Sequence, residues 1–155
     1  QADRNANTLH STLFFLGAVL GNDAAENAAK LMSQAAPWTA VMFHNMLDES
    51  APVPINLPPA IQAVLGEYRK HHAGYLPVQA KYLENHRGHL MFLREEEKKL
   101  ITPDLVQATT FSGTTDELVD RLRGLADAGY QQFAVQLVQG EEAALEQWAE
   151  VFAKV

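Results

Sequence analysis

Cysteine is absent from these 155 residues, which removes disulfides, thiolate metal sites and cysteine nucleophiles, and fits a reducing, cytoplasmic setting. Basic residues are few. Twelve Lys and Arg stand against nineteen Asp and Glu, for a formal charge of -7 with no basic stripe, so nucleic acid is not expected as a partner. Long hydrophobic runs are missing too. The best candidate, Thr8 to Leu20, lies behind Arg4, is interrupted by His10 and Ser11, and is too short to cross a membrane as a helix. A buried strand over Leu13 to Leu20 is the better reading than a signal-peptide core, and no membrane is expected. The chain begins with Gln1 rather than Met, so a cut point inside a longer polypeptide is one expectation for that end. There is no Gly-x-Ser-x-Gly elbow, no phosphate-cradling loop with its Lys, no Gly-x-Gly-x-x-Gly fingerprint and no internal repeat.

What is present is a chain of helices with a few strands. Gly21-Asn22-Asp23 reads as a turn and N-cap for a helix from Ala24 to Ala36, and Pro37 either breaks that helix or opens a second one through Met46. Residues 49 to 59 hold four prolines and are expected to form an irregular, mobile connection. Pro59 then opens a helix ending near Gly74, and a shorter helix follows Pro77. Leu90 to Leu93 is a short strand or buried turn, Arg94 to Lys99 a solvated charged run, and Thr102-Pro103-Asp104 the start of another helix.

The last third is the most explicit. Thr114 with Glu117 three residues on is a capping box, Leu118, Leu122 and Leu125 form an apolar stripe, and Gly129 stands where a left-handed cap ends a helix. Phe133 to Val138 is apolar on nearly both faces, as in a covered strand, and Gly140 leads into a final helix. Helix, covered strand and helix in this order belong to a helix-rich α/β fold with parallel strands. A complete (β/α)8 barrel takes about 250 residues, more than this chain has.

Gly113-Thr-Thr-Asp-Glu-Leu118, the helix end Ala126-Asp-Ala-Gly129 and the strand Gln132-Phe-Ala-Val-Gln136 resemble the C-terminal signature of luciferase-like monooxygenases, a family that includes deazaflavin-dependent reductases. Tyr82-Leu-Glu-Asn-His-Arg-Gly-His89 and Glu146-Gln-Trp148 are similar to one subgroup. The likeness spans most of residues 60 to 155 and is weaker before. It implies the C-terminal part of a (β/α)8 barrel in one domain, with a helical insert at about 58–108, and FMN or a deazaflavin held at the carboxyl ends of the strands for hydride transfer or oxygen activation. Much of the cofactor ring's support would then lie upstream of Gln1. The chain alone is expected to bind no cofactor unless it meets the N-terminal remainder of the barrel or a second copy of itself.

Candidate site residues follow. Gln136 and Gly140 sit at the carboxyl edge of the last strand, where Gln136 can hydrogen-bond a ligand and Gly140 can let a backbone approach, though the adjacent Glu141 and Glu142 oppose a phosphate. The plain alternative makes them a satisfied core amide and a turn. Arg87 is a candidate anion partner, with a surface ion pair as its commoner fate, and His44 is a candidate for the same role or a core residue between Met42 and Met46. His86 and His89 have metal-ligand spacing if that segment is helical, but no third ligand is evident and no metal site is expected. Tyr75, Tyr82, Trp38 and Trp148 read as core aromatics. Two functional classes remain: an oxidoreductase fragment using a flavin or deazaflavin, and a non-catalytic helix-rich module that dimerises or docks on a partner.

Overall fold

The computed structural model describes residues 9–47 and 57–155, so most of the proline-rich connection expected at 49 to 59 lies outside the described residues. Its first strand is one line of chain in two pieces, β1 (Thr12–Phe15) and β2 (Val19–Leu20). The break has a simple cause: the strand changes neighbours along its length. β1 pairs in parallel with β4 (Gln132–Val135), while β2 pairs in parallel with β3 (Gly113–Thr114). The Gln136 N–H donates to the Phe15 carbonyl at 3.0 Å on one side, and the Phe111 and Gly113 N–H groups donate to Leu16 and Ala18 at 2.9 and 3.2 Å on the other. At the changeover the backbones come so close that a Cβ on Gly17 would lie 1.9 Å from the Phe111 carbonyl oxygen. Only glycine fits there.

The parallel α/β character expected from the sequence is present, helix-rich and with short strands. The pairings form two short two-stranded parallel sheets, β1 with β4 and β2 with β3, which share the first line of chain. Ala18 and Leu20 face one core with the helices between the first strand and β3, whereas Phe15 and Val19 face a second core with α6 (Thr115–Asp127) and α7 (Ala144–Phe152). Alternate residues of a single strand thus serve two cores.

The helical side begins with α1 (Ala24–Lys30), capped by Asp23, whose carboxylate accepts the Glu26 N–H at 2.8 Å. It runs without interruption through a π turn (Leu31–Ala35) into α2 (Ala36–Leu47). Pro37 neither ends the helix nor starts a separate one. Proline removes a donor and its ring crowds the carbonyl four residues back, and the wider turn immediately before it accommodates both. After α3 (Pro59–Ala73) come a 3-10 turn at Val78–Ala80, α4 (Lys81–Asn85), a second 3-10 turn at Glu97–Lys99 and α5 (Pro103–Thr109). Leu90 to Leu93 is turn rather than strand, with Leu90 at φ +60.

The C-terminal side follows its sequence signals closely. The capping box at the start of α6 is complete, with Glu117 N–H donating to Thr114 Oγ1 and the Thr114 N–H to Glu117 Oε2 at 2.8 Å. Hydrogen bonds from Thr114, the backbone one foremost, hold the Glu117 carboxyl below its ordinary range. Gly129 has φ +103, the left-handed end anticipated for α6. Trp148 is core as expected, but Tyr82 is 61% exposed, because α4 is a single short turn-and-a-half lying on the outside. Among the described residues no helix is long and apolar enough to cross a membrane.

Candidate functional site

In parallel α/β structures ligands enter beyond the carboxyl ends of the strands. Such a place exists here. A cleft of about 840 Å3 opens past the end of β4, between the 138–141 loop, the π turn with the first turn of α2, and the segment 87–98. Met32, Pro37, Met91 and Phe92 form its apolar wall, with Arg87, Arg94 and Lys98 bringing positive charge and Glu95, Glu96 and Glu141 negative. A smaller cavity of about 330 Å3 lies at the ends of β2 and β3.

The wall at 91–98 is held from behind by a buried charge cluster. Arg94 and Glu97 were expected in a solvated run; they are 3% and 1% exposed. The 3-10 turn folds the Glu97 side chain back, so that its Oε2 accepts the Arg94 backbone N–H at 2.8 Å and its Oε1 accepts Arg94 Nη2 at 2.7 Å. His44 Nε2 of α2 lies 2.5 Å from the same Oε1, which assigns the proton to that nitrogen; Arg94 Nη2, 3.2 Å from Nε2, is then a neighbour and not a donor to it. Arg94 Nη1 donates to the Glu84 carbonyl at 2.8 Å, tying in the end of α4. Burial pushes the Glu97 carboxyl up, but the hydrogen bonds from His44 and Arg94 outweigh it and bring it down to about 2. Burial likewise opposes the charge on Arg94, and Glu97 more than restores it, raising the guanidinium above its usual range. Tyr68, stacked on Phe43 at 5.0 Å, has its phenol pushed far up by burial and then by the Glu97 charge.

The residues proposed from sequence fall into three groups. Arg87 lines the cleft and also pairs with Glu84 at 2.8 Å on the surface. His44 is 3% exposed and committed to Glu97, behind the wall and not in the opening. Gln136 uses its backbone in the sheet, and Gly140, at φ +92, turns the chain with its N–H donating to Glu142; both flank the cleft-lining Val138, Gln139 and Glu141 without lining it themselves. His86 and His89 are not on a helix, since α4 ends at Asn85, yet their Nδ1 atoms stand 3.1 Å apart. Burial and then the neighbouring His86 lower the His89 imidazole. No group of three or more metal-ligating side chains occurs among the described residues.

Sequence reasoning missed the Arg94–Glu97–His44 cluster. Its only local trace is the three-residue spacing of Arg94 and Glu97 in an otherwise ordinary charged run, and its third member lies fifty residues upstream. Compared with known proteins, the chain matches no family model, no curated protein and no solved structure.

Proposed function

We propose that this chain is the C-terminal part of an oxidoreductase of the luciferase-like kind, a monooxygenase or reductase, which takes FMN or a deazaflavin in the cleft beyond β4. The observation that carries the reading is the position and size of that cleft, since ligand sites of about 300–1,000 Å3 are the usual range and barrels hold theirs beyond the carboxyl ends of the strands. The residues suit such a group. Met32, Pro37, Met91 and Phe92 offer apolar surface to a flat ring system, and Arg87 and Lys98 offer charge to a phosphate. When bound, the cofactor supplies the hydride chemistry. The chain's own contribution is to position it, to exclude water along the apolar wall and to keep that wall fixed through Glu97. A full (β/α)8 barrel needs more strands than the four short ones among the described residues, so the N-terminal remainder or a second copy is the partner this reading calls for.

Titrating the purified chain with FMN, and separately with a deazaflavin, tests it through quenching of cofactor fluorescence. Saturable quenching that Arg87→Ala weakens supports the reading; no quenching by either cofactor, with or without the upstream segment, rejects it. A helix-rich docking module is the second reading, favoured by Leu76, Val78, Tyr82 and Leu83, all more than 60% exposed. In that case sedimentation gives a concentration-dependent dimer that Leu83→Asp dissociates, and no cofactor binds.

A further inference from the structure

The cleft carries one donor that the protein itself leaves unsatisfied. Arg94 is 1% exposed in its side chain, lines the cleft, and spends Nη1 and Nη2 on Glu84 and Glu97, but its Nε–H is buried without a hydrogen-bond acceptor. Glu96 Oε1 faces it at 3.6 Å, outside hydrogen-bond range, and the guanidinium lies over the Tyr75 ring at 5.3 Å. An unmet buried donor on a charged group is costly, and natural structures rarely keep one without a partner arriving from elsewhere.

Much of the cleft's other charge is already engaged. Glu95 holds Lys98 at 2.5 Å, Glu141 accepts from Gln34 at 3.2 Å, and Arg87 holds Glu84 across an exposed surface pair that costs little to release. We infer that the cleft binds an aromatic carboxylate, its carboxylate oxygen taking the Arg94 Nε–H and the freed Arg87, its ring lying on Met91, Phe92 and Pro37. Glu96 is the chain's own stand-in for that carboxylate, too distant to bond and therefore displaced by a ligand that reaches closer. This names a ligand class for the cleft of the preceding reading and rests on that reading only for the cleft's being a ligand site.

The test uses 2-naphthoate, with 2-naphthalenemethanol as its neutral counterpart, in calorimetric titrations of the wild-type chain and two surface variants. Arg94 itself is unsuitable for substitution because it belongs to the buried cluster. Arg87→Glu and Glu96→Gln alter partly exposed groups instead. Naphthoate is expected to bind more tightly than the alcohol, with Arg87→Glu weakening it roughly fivefold and Glu96→Gln tightening it by a few fold, as the loss or gain of one close charge implies. Equal binding of acid and alcohol, no binding of either, or variants that leave the naphthoate affinity unchanged would overturn the inference. Naphthoate binding with this charge dependence while FMN and the deazaflavin fail to bind keeps the inference and rejects the cofactor. Cofactor binding that Arg87→Glu weakens, with no binding of naphthoate, keeps the cofactor and rejects the inference.

Discussion

The two cores of the molecule are built on opposite principles. Behind α6 and α7 the core is almost wholly apolar, with Phe15, Leu118, Leu122, Trp148 and Val151 buried and the polar work confined to a capping box at the surface. Behind α2 and α3 the core contains a carboxylate, a guanidinium and an imidazole in mutual contact. An apolar core of the first kind draws its stability from area removed from water. A buried charge cluster of the second kind adds little net stability, because desolvation offsets attraction, but it penalises any arrangement in which one member is missing. The difference suits their positions: the apolar side needs only to be packed, while the charged side fixes the wall of a cleft.

The largest effect that separates the two sides is expected at Glu97. Glu97→Ala leaves Arg94 and His44 buried and unmatched and should cost about 3–5 kcal/mol in urea unfolding. Replacing all three, as His44→Leu, Arg94→Met and Glu97→Leu together, should recover most of that loss. On the apolar side no such recovery is available: Trp148→Ala should cost about 3–5 kcal/mol through the cavity alone, and no second substitution nearby should offset it. Equal costs for Glu97→Ala and the triple replacement would mean that the cluster is packing and not charge.

Acid should distinguish the sides next. Glu97 is held at about 2, below an ordinary 4.5, so its contribution is complete above pH 4.5 and is lost as pH falls toward 2. Wild-type stability should therefore decline through that window, and Glu97→Gln should flatten the decline; an unchanged slope would remove Glu97 from the account.

Smaller effects belong to local devices. Thr114→Ala should cost about 1 kcal/mol, as loss of an N-cap does. Glu95→Ala, which breaks an exposed pair with Lys98 two residues before Glu97, should leave stability almost unchanged. The contrast between Glu95 and Glu97 is the sharpest single comparison in the chain.

That contrast also explains what could be read in advance. The capping box at Thr114, the left-handed Gly129, the cap at Asp23 and the helix opening at Pro59 are all set by residues within four positions of one another, and each occurs as its sequence implies. Pro37 misleads because a π turn, which has no sequence signature of its own, absorbs it. Arg94 and Glu97 mislead because burial of charge depends on a partner fifty residues away, and Tyr82 because nothing in its spacing says that α4 lies outside the cores. Of the cleft, Arg87 and the carboxyl edge of the last strand were legible from position alone. The apolar wall at Met91 and Phe92 was not, since it is made by turns rather than by a periodic element.

Amide hydrogen exchange at Arg94 tests the account most directly, because its N–H donates to the Glu97 carboxylate inside the cluster. Slow exchange, near that of the Leu118 to Leu122 amides and lost in Glu97→Gln while those amides keep theirs, is the predicted result. Exchange at the rate of an open, solvated turn would contradict the buried cluster and, with it, the fixed wall on which the cleft depends.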